Sequence, residues 1–181
     1  MKNNLSFSSL ILLIFLGCSR SQKSNNENLD IIHSAKVNLE NEDAYSNQYR
    51  KLNNAHSGNY YSSIDSVTLY GAGYCKTIPD SLIGYNLSVY ISVWVREKIS
   101  PIEGEIGVSL NVGDKLLDWK SICAKKKSFH NNKWIQLSDS FFYPAKLLFE
   151  KQTYIKVFAM KDSGKDFFDM DDLEIKYKFS K

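Results

Sequence analysis

Between residues 85 and 96 the chain alternates strictly. Leu87, Val89, Ile91, Val93 and Val95 fall on one parity, and Ser88, Tyr90, Ser92, Trp94 and Arg96 on the other. A period of two sends successive side chains to opposite faces of a strand, so this segment predicts a β-strand with an apolar and a polar side. The same period runs through Ile106, Val108, Leu110 and Val112, through Ile155, Val157 and Ala159, and through Leu173, Ile175, Tyr177 and Phe179. Weaker strands are predicted over 37–39, 67–75, 116–123 and 134–142. Turn residues separate them at Pro79-Asp80, Ser100-Pro101, Gly113-Asp114, Asn131-Asn132, Pro144 and Ser163-Gly164. The nearest approach to a helical stripe is 43–52, and it is poor. About eight or nine short strands with such punctuation predict an all-β domain of two antiparallel sheets packed as a sandwich.

The first residues follow another logic. Lys2 gives a short positive end, Leu10–Leu16 is an unbroken apolar run, and Gly17-Cys18 closes it. Seven apolar residues are too few to span a hydrocarbon core, which takes roughly 20, so residues 1–17 read as an export signal. Phe15-Leu16-Gly17-Cys18 resembles the lipobox of bacterial lipoproteins, with Phe15 where Leu is usual. That resemblance implies acylation of Cys18 and attachment to a lipid bilayer. Ser19 in the next position implies sorting to an outer membrane where the cell has one. Residues 18–34 are rich in Ser, Asn, Gln, Lys and Glu at their start and read as a flexible tether, with the domain over 35–181.

Composition narrows the remaining classes. The net charge of +3 is small, and Lys125-Lys126-Lys127 is an isolated basic run, so nothing points to nucleic acid. In an exported protein Cys75 and Cys123 are allowed to form a disulfide; two separate buried thiols are the alternative.

Several short motifs then stand in order. Ala55-His56-Ser57-Gly58 followed by Tyr60-Tyr61-Ser62, the strand Ser92-Val93-Trp94-Val95-Arg96, Trp134-Ile135-Gln136-Leu137 leading to Pro144, and Asp171-Asp172-Leu173-Glu174-Ile175 resemble the motifs of jelly-roll carbohydrate-binding modules. The usual opening motif of that family is absent, and Val37-Asn38-Leu39-Glu40 stands in its place. The resemblance implies a jelly roll, glycan binding on a sheet face, and a structural calcium ion. On a regular last strand Asp171 shares parity with Leu173 and Ile175 and points inward, where a carboxylate is costly unless paired or metal-bound. By resemblance its partners in holding calcium are Glu40 and the main chain at Ser57-Gly58. The alternative is that Asp171 caps a turn or accepts backbone N–H groups, with no ion.

The outward row Ser88, Tyr90, Ser92, Trp94, Arg96 is the candidate ligand face. Aromatic rings can stack on the C–H side of a sugar, while hydroxyls and a guanidinium bond its oxygens. Ser109 and Asn111 on the following strand are expected to share that face. Trp94 is equally readable as a covered structural residue, and Trp134 reads as core. No G-x-S-x-G, H-E-x-x-H or zinc-type Cys/His spacing occurs, and His33, His56 and His130 are scattered. A non-catalytic, membrane-anchored glycan-binding module is therefore the expectation. A protein-interaction module of an envelope complex is the alternative.

Overall fold

Every strictly alternating segment is a strand. A computed structural model describes residues 31–37, 39–40, 50–65, 67–97, 104–124, 132–161 and 167–181. The signal segment, Cys18, residues 18–30 of the tether, residues 43–49, Lys125–Lys127, His130 and the turns at Ser100-Pro101 and Ser163-Gly164 lie outside the described residues.

Ten strands occur among the described residues: β1 (Ile31–Val37), β2 (Arg50–Leu52), β3 (Tyr60–Ile64), β4 (Tyr70–Thr77), β5 (Asn86–Glu97), β6 (Gly104–Val112), β7 (Lys115–Cys123), β8 (Ile135–Tyr143), β9 (Thr153–Lys161) and β10 (Phe168–Ser180). One sheet runs β2-β3-β10-β5-β8, with β1 also on β10; the other runs β4-β9-β6-β7. All pairings are antiparallel. The chain is a two-sheet antiparallel β-sandwich. Leu87, Val89, Ile91, Val93 and Val95 of β5 face Ile106, Val108 and Leu110 of β6 and Ile155, Val157 and Ala159 of β9 in one buried cluster. Burial of each of the larger aliphatic side chains contributes about 1.5–3 kcal/mol.

β10 is the central strand, and it is irregular at one point. On one edge it pairs with β3 through 168–170 and with β1 through 173–179. On the other edge its register against β5 slips by one residue between Asp171 and Glu174, and Asp172 has φ of 45°. This is a β-bulge, which reverses parity downstream. Phe168 and Met170 point into the core before it, and Leu173, Ile175, Tyr177 and Phe179 after it. Asp169 and Asp171 therefore lie on the outer face, opposite Arg96 and Trp94. The inward Asp171 expected of a regular strand is corrected accordingly.

Other expectations shift too. β1 takes in Ile31–Ser34, the end of the span expected as tether. β3 escaped the periodicity reading because its inward positions include Ser62, whose hydroxyl accepts the Ala72 N–H at 2.9 Å. β5 and β6 are consecutive in the chain but belong to different sheets, so Ser109 and Asn111 stand on the opposite side of the sandwich from Tyr90. Cys75 and Cys123 are free thiols, one exposed and one half-buried. They lie on the two edge strands of the four-stranded sheet. Three strand spacings, about 14 Å, separate those edges, far beyond disulfide reach.

Gly104 opens β6 against the fully buried Phe168. A Cβ there would run into the Phe168 ring, and a ring held in the core cannot retreat. Gly104→Ala is expected to destabilise the fold by about 1–3 kcal/mol, the usual cost of overpacking, as read from the urea unfolding midpoint.

Candidate functional site

The outer face of the six-stranded sheet divides into an open part and a covered part. In the open part, Tyr90 of β5 is flanked by Ser140 of β8 and Lys176 of β10, and Ser92 by Ser138 and Glu174. These side chains line a groove of about 370 Å³. Tyr90 is 46% exposed. Gln136 donates from Nε2 to the Ser92 hydroxyl at 2.8 Å, and Lys176 Nζ sits 3.3 Å from Glu174 Oε1. An exposed ring among hydroxyls, with one ion pair beside it, offers stacking and hydrogen bonding together.

From Trp94 onward the same row is roofed by the loop 53–59. The His56 imidazole stacks on the Trp94 indole with centroids 3.8 Å apart and planes 14° from parallel. It stands edge-on to Trp134 at 6.1 Å. Its Nδ1 lies 2.8 Å from Asp172 Oδ2, while the Ser57 hydroxyl donates to Asp172 Oδ1 at 2.8 Å. Asp171 Oδ2 accepts from the His56 and Ser57 N–H groups at 2.8 and 3.1 Å, and its Oδ1 from Asp172 N–H at 2.8 Å. Burial pushes the Asp171 carboxyl above its ordinary range against these bonds, and the neighbouring Asp172 charge adds to the rise. Burial opposes the charged form of Asp172 as well. The His56 and Ser57 side-chain bonds, with the Lys36 and His56 charges, nevertheless hold its carboxyl low.

Beneath the loop Arg96 is buried. Its Nε and Nη2 donate to Asp169 Oδ2 at 3.0 and 2.8 Å, and Nη1 donates to the Asn54 carbonyl at 2.9 Å. The guanidinium lies 4.4 Å from the Trp134 ring centroid and 5.1 Å from that of Tyr61. Trp134 Nε1 donates to the same Asn54 carbonyl at 3.2 Å. Burial, then the Asp169 charge, pushes the Tyr61 phenol up.

The predicted site residues thus separate. Tyr90 and Ser92 share the groove. Trp94 is half-buried under His56, and Arg96 is spent on an internal ion pair, which removes it from any ligand face. Trp134, expected in the core, belongs instead to this outer cluster. Ser138, Ser140, Glu174 and Lys176 complete the groove beyond the residues the sequence pattern singles out. Alternation marks them as outward, but strand order is what brings them beside Tyr90.

The donor set expected for calcium has a specific orientation. Glu40 Oε1 accepts the Asn59 and Tyr60 N–H groups at 2.7 and 2.6 Å, and Asp171 accepts three more. Calcium requires six to eight oxygens aimed at one point, whereas here N–H hydrogens face both carboxylates. Among the described residues no group of three or more His, Cys, Asp or Glu is placed to hold a metal. As arranged, these residues do not fit the ion.

The site and fold define a β-sandwich with an open polar-aromatic sheet face. No family model matches the chain, and no curated protein matches it. Among solved structures it is similar to a Stig cyclase from Fischerella sp. TAU, with 11% identity over 83% of this chain and 77% of that one and a TM-score of 0.46. It is similar to a family 16 carbohydrate-binding module, with 13% identity over 70% and 82% and a TM-score of 0.47. A third likeness is to the infectious bursal disease virus Gx strain structure, with 9% identity over 84% of this chain, a third of that one (33%), and a TM-score of 0.49.

The Arg96–Asp169 pair has side chains only 9% and 4% exposed. Asp169→Asn leaves a buried guanidinium without its counter-charge and should cost roughly 3–5 kcal/mol. A companion Arg96→Met, Asp169→Leu double variant should recover much of that loss in the same thermal melt.

Proposed function

We propose that this chain is a membrane-anchored, non-catalytic glycan-binding protein whose ligand lies against Tyr90. The observation that carries the reading is the exposed Tyr90 ring in a groove bordered by Ser92, Ser138, Ser140, Glu174 and Lys176. A sugar ring presents a C–H face to such a phenol and hydroxyls to its neighbours. The anchor is the acylated Cys18 at the end of its export signal. Two or three acyl chains, at about 0.8 kcal/mol for each buried CH₂, hold a protein at a membrane essentially permanently. Ser19 favours the outer membrane.

One observation favours a second reading. Phe142 is 58% exposed and Ile32 67%. They flank Ser88 and Lys178 in a row across the same face, and exposed apolar side chains of this kind suit a protein partner.

The test uses the full-length protein in detergent on a glycan array, followed by affinity electrophoresis. Wild type is expected to retain a polysaccharide, and Tyr90→Ala to weaken it at least tenfold, about 1.4 kcal/mol. Trp94→Ala should instead lower thermal stability, because its ring supports His56. Absence of retention on every glycan, together with stoichiometric co-purification of an envelope protein that Phe142→Ala abolishes, sinks the glycan reading in favour of the second. Cys18→Ser should move the protein from the membrane to the soluble fraction; persistent membrane association would contradict the anchor.

A further inference from the structure

We infer that the loop over Trp94 is fixed by direct bonds between carboxylates and backbone amides, in the place where a resemblance to carbohydrate-binding modules puts calcium, and that the fold is indifferent to this ion. The inference is independent of what Tyr90 binds.

The loop presents its N–H groups in two pairs. His56 and Ser57 converge on Asp171 Oδ2, and Asn59 and Tyr60 converge on Glu40 Oε1. Gly58 stands between the pairs with φ of 64°. Successive backbone N–H groups turned to one side form a nest, a concavity that receives an anion. Here two nests in tandem each receive a carboxylate of the chain itself. The left-handed Gly58 lets the second pair turn onto Glu40, and a Cβ at that position would sit 2.6 Å from Glu40 Cδ.

The peptide groups are therefore the wrong way round for a cation. A metal site needs the carbonyl ends, and two carbonyls of this loop are already committed. That of Asn54 accepts from Arg96 and Trp134, and that of Asn59 accepts the Asn53 N–H at 2.9 Å. An ion entering between Asp171 and Glu40 would face positive N–H dipoles. It would have to rotate several peptide units, unseating His56 from Trp94.

Full-length protein in detergent, stripped of divalent ions with EDTA, is melted by circular dichroism before and after addition of millimolar calcium chloride. An unchanged midpoint and a flat calorimetric titration of calcium chloride are expected. A midpoint raised by calcium, or saturable heat of binding, overturns the inference. In the ion-free buffer Asp171→Asn and Glu40→Gln should each lower the midpoint by several degrees, because each removes the charge that its nest receives. Variants melting like wild type there would overturn it equally. Should Asp171→Asn fail to fold, Glu40→Gln and the wild-type titration still decide.

Discussion

The outer face depends on a one-residue slip in β10. Without the bulge between Asp171 and Glu174, alternation would continue unbroken from Leu173 back to Asp171, and a carboxylate would enter the apolar layer at a cost of several kcal/mol. The slip keeps Phe168 and Met170 in the core on one side of it and Leu173 on the other. It sends Asp169 and Asp171 outward, where Arg96 and the amides of His56 and Ser57 receive them. The gap between β3 and β1 along the same edge leaves room for that loop to approach.

Two regimes follow along β5. At Tyr90 and Ser92 the outer side chains meet serines, a lysine and a glutamate and remain open. Beyond it the loop covers the sheet, and the ring at Trp94 and the guanidinium at Arg96 become parts of a second small packed layer. Arg96 links that layer together, touching Asp169, Asn54, Trp134 and Tyr61. A motif that looks like a single ligand strip in the sequence is thus half binding surface and half buttress.

The fold class was legible because the apolar period of β5, β6, β9 and the end of β10 is nearly uninterrupted, and burial selects that pattern directly. Strand order was not legible. Placing Ser109 beside Tyr90 assumed that neighbours in sequence are neighbours in a sheet, an assumption that fails when consecutive strands alternate between two sheets. The bulge was also hidden. Asp171-Asp172 reads as regular alternation, and only the tolerance of Asp for positive φ hints otherwise. For Asp171 the sequence left two alternatives, a metal or backbone amides, and the His56 and Ser57 N–H groups occupy it in the structure. Of the ligand face, Tyr90 and Ser92 could be named from parity alone, whereas Ser138, Ser140, Glu174 and Lys176 required the pairing of β8 and β10 with β5.

The division of β5 into open and covered halves is tested most directly by nuclear magnetic resonance, titrating the labelled protein with a glycan it retains. The account predicts shift changes at Tyr90, Ser92, Ser138, Ser140 and Lys176, with the indole N–H signals of Trp94 and Trp134 unmoved. Changes centred on the two indoles, with Tyr90 silent, would contradict it.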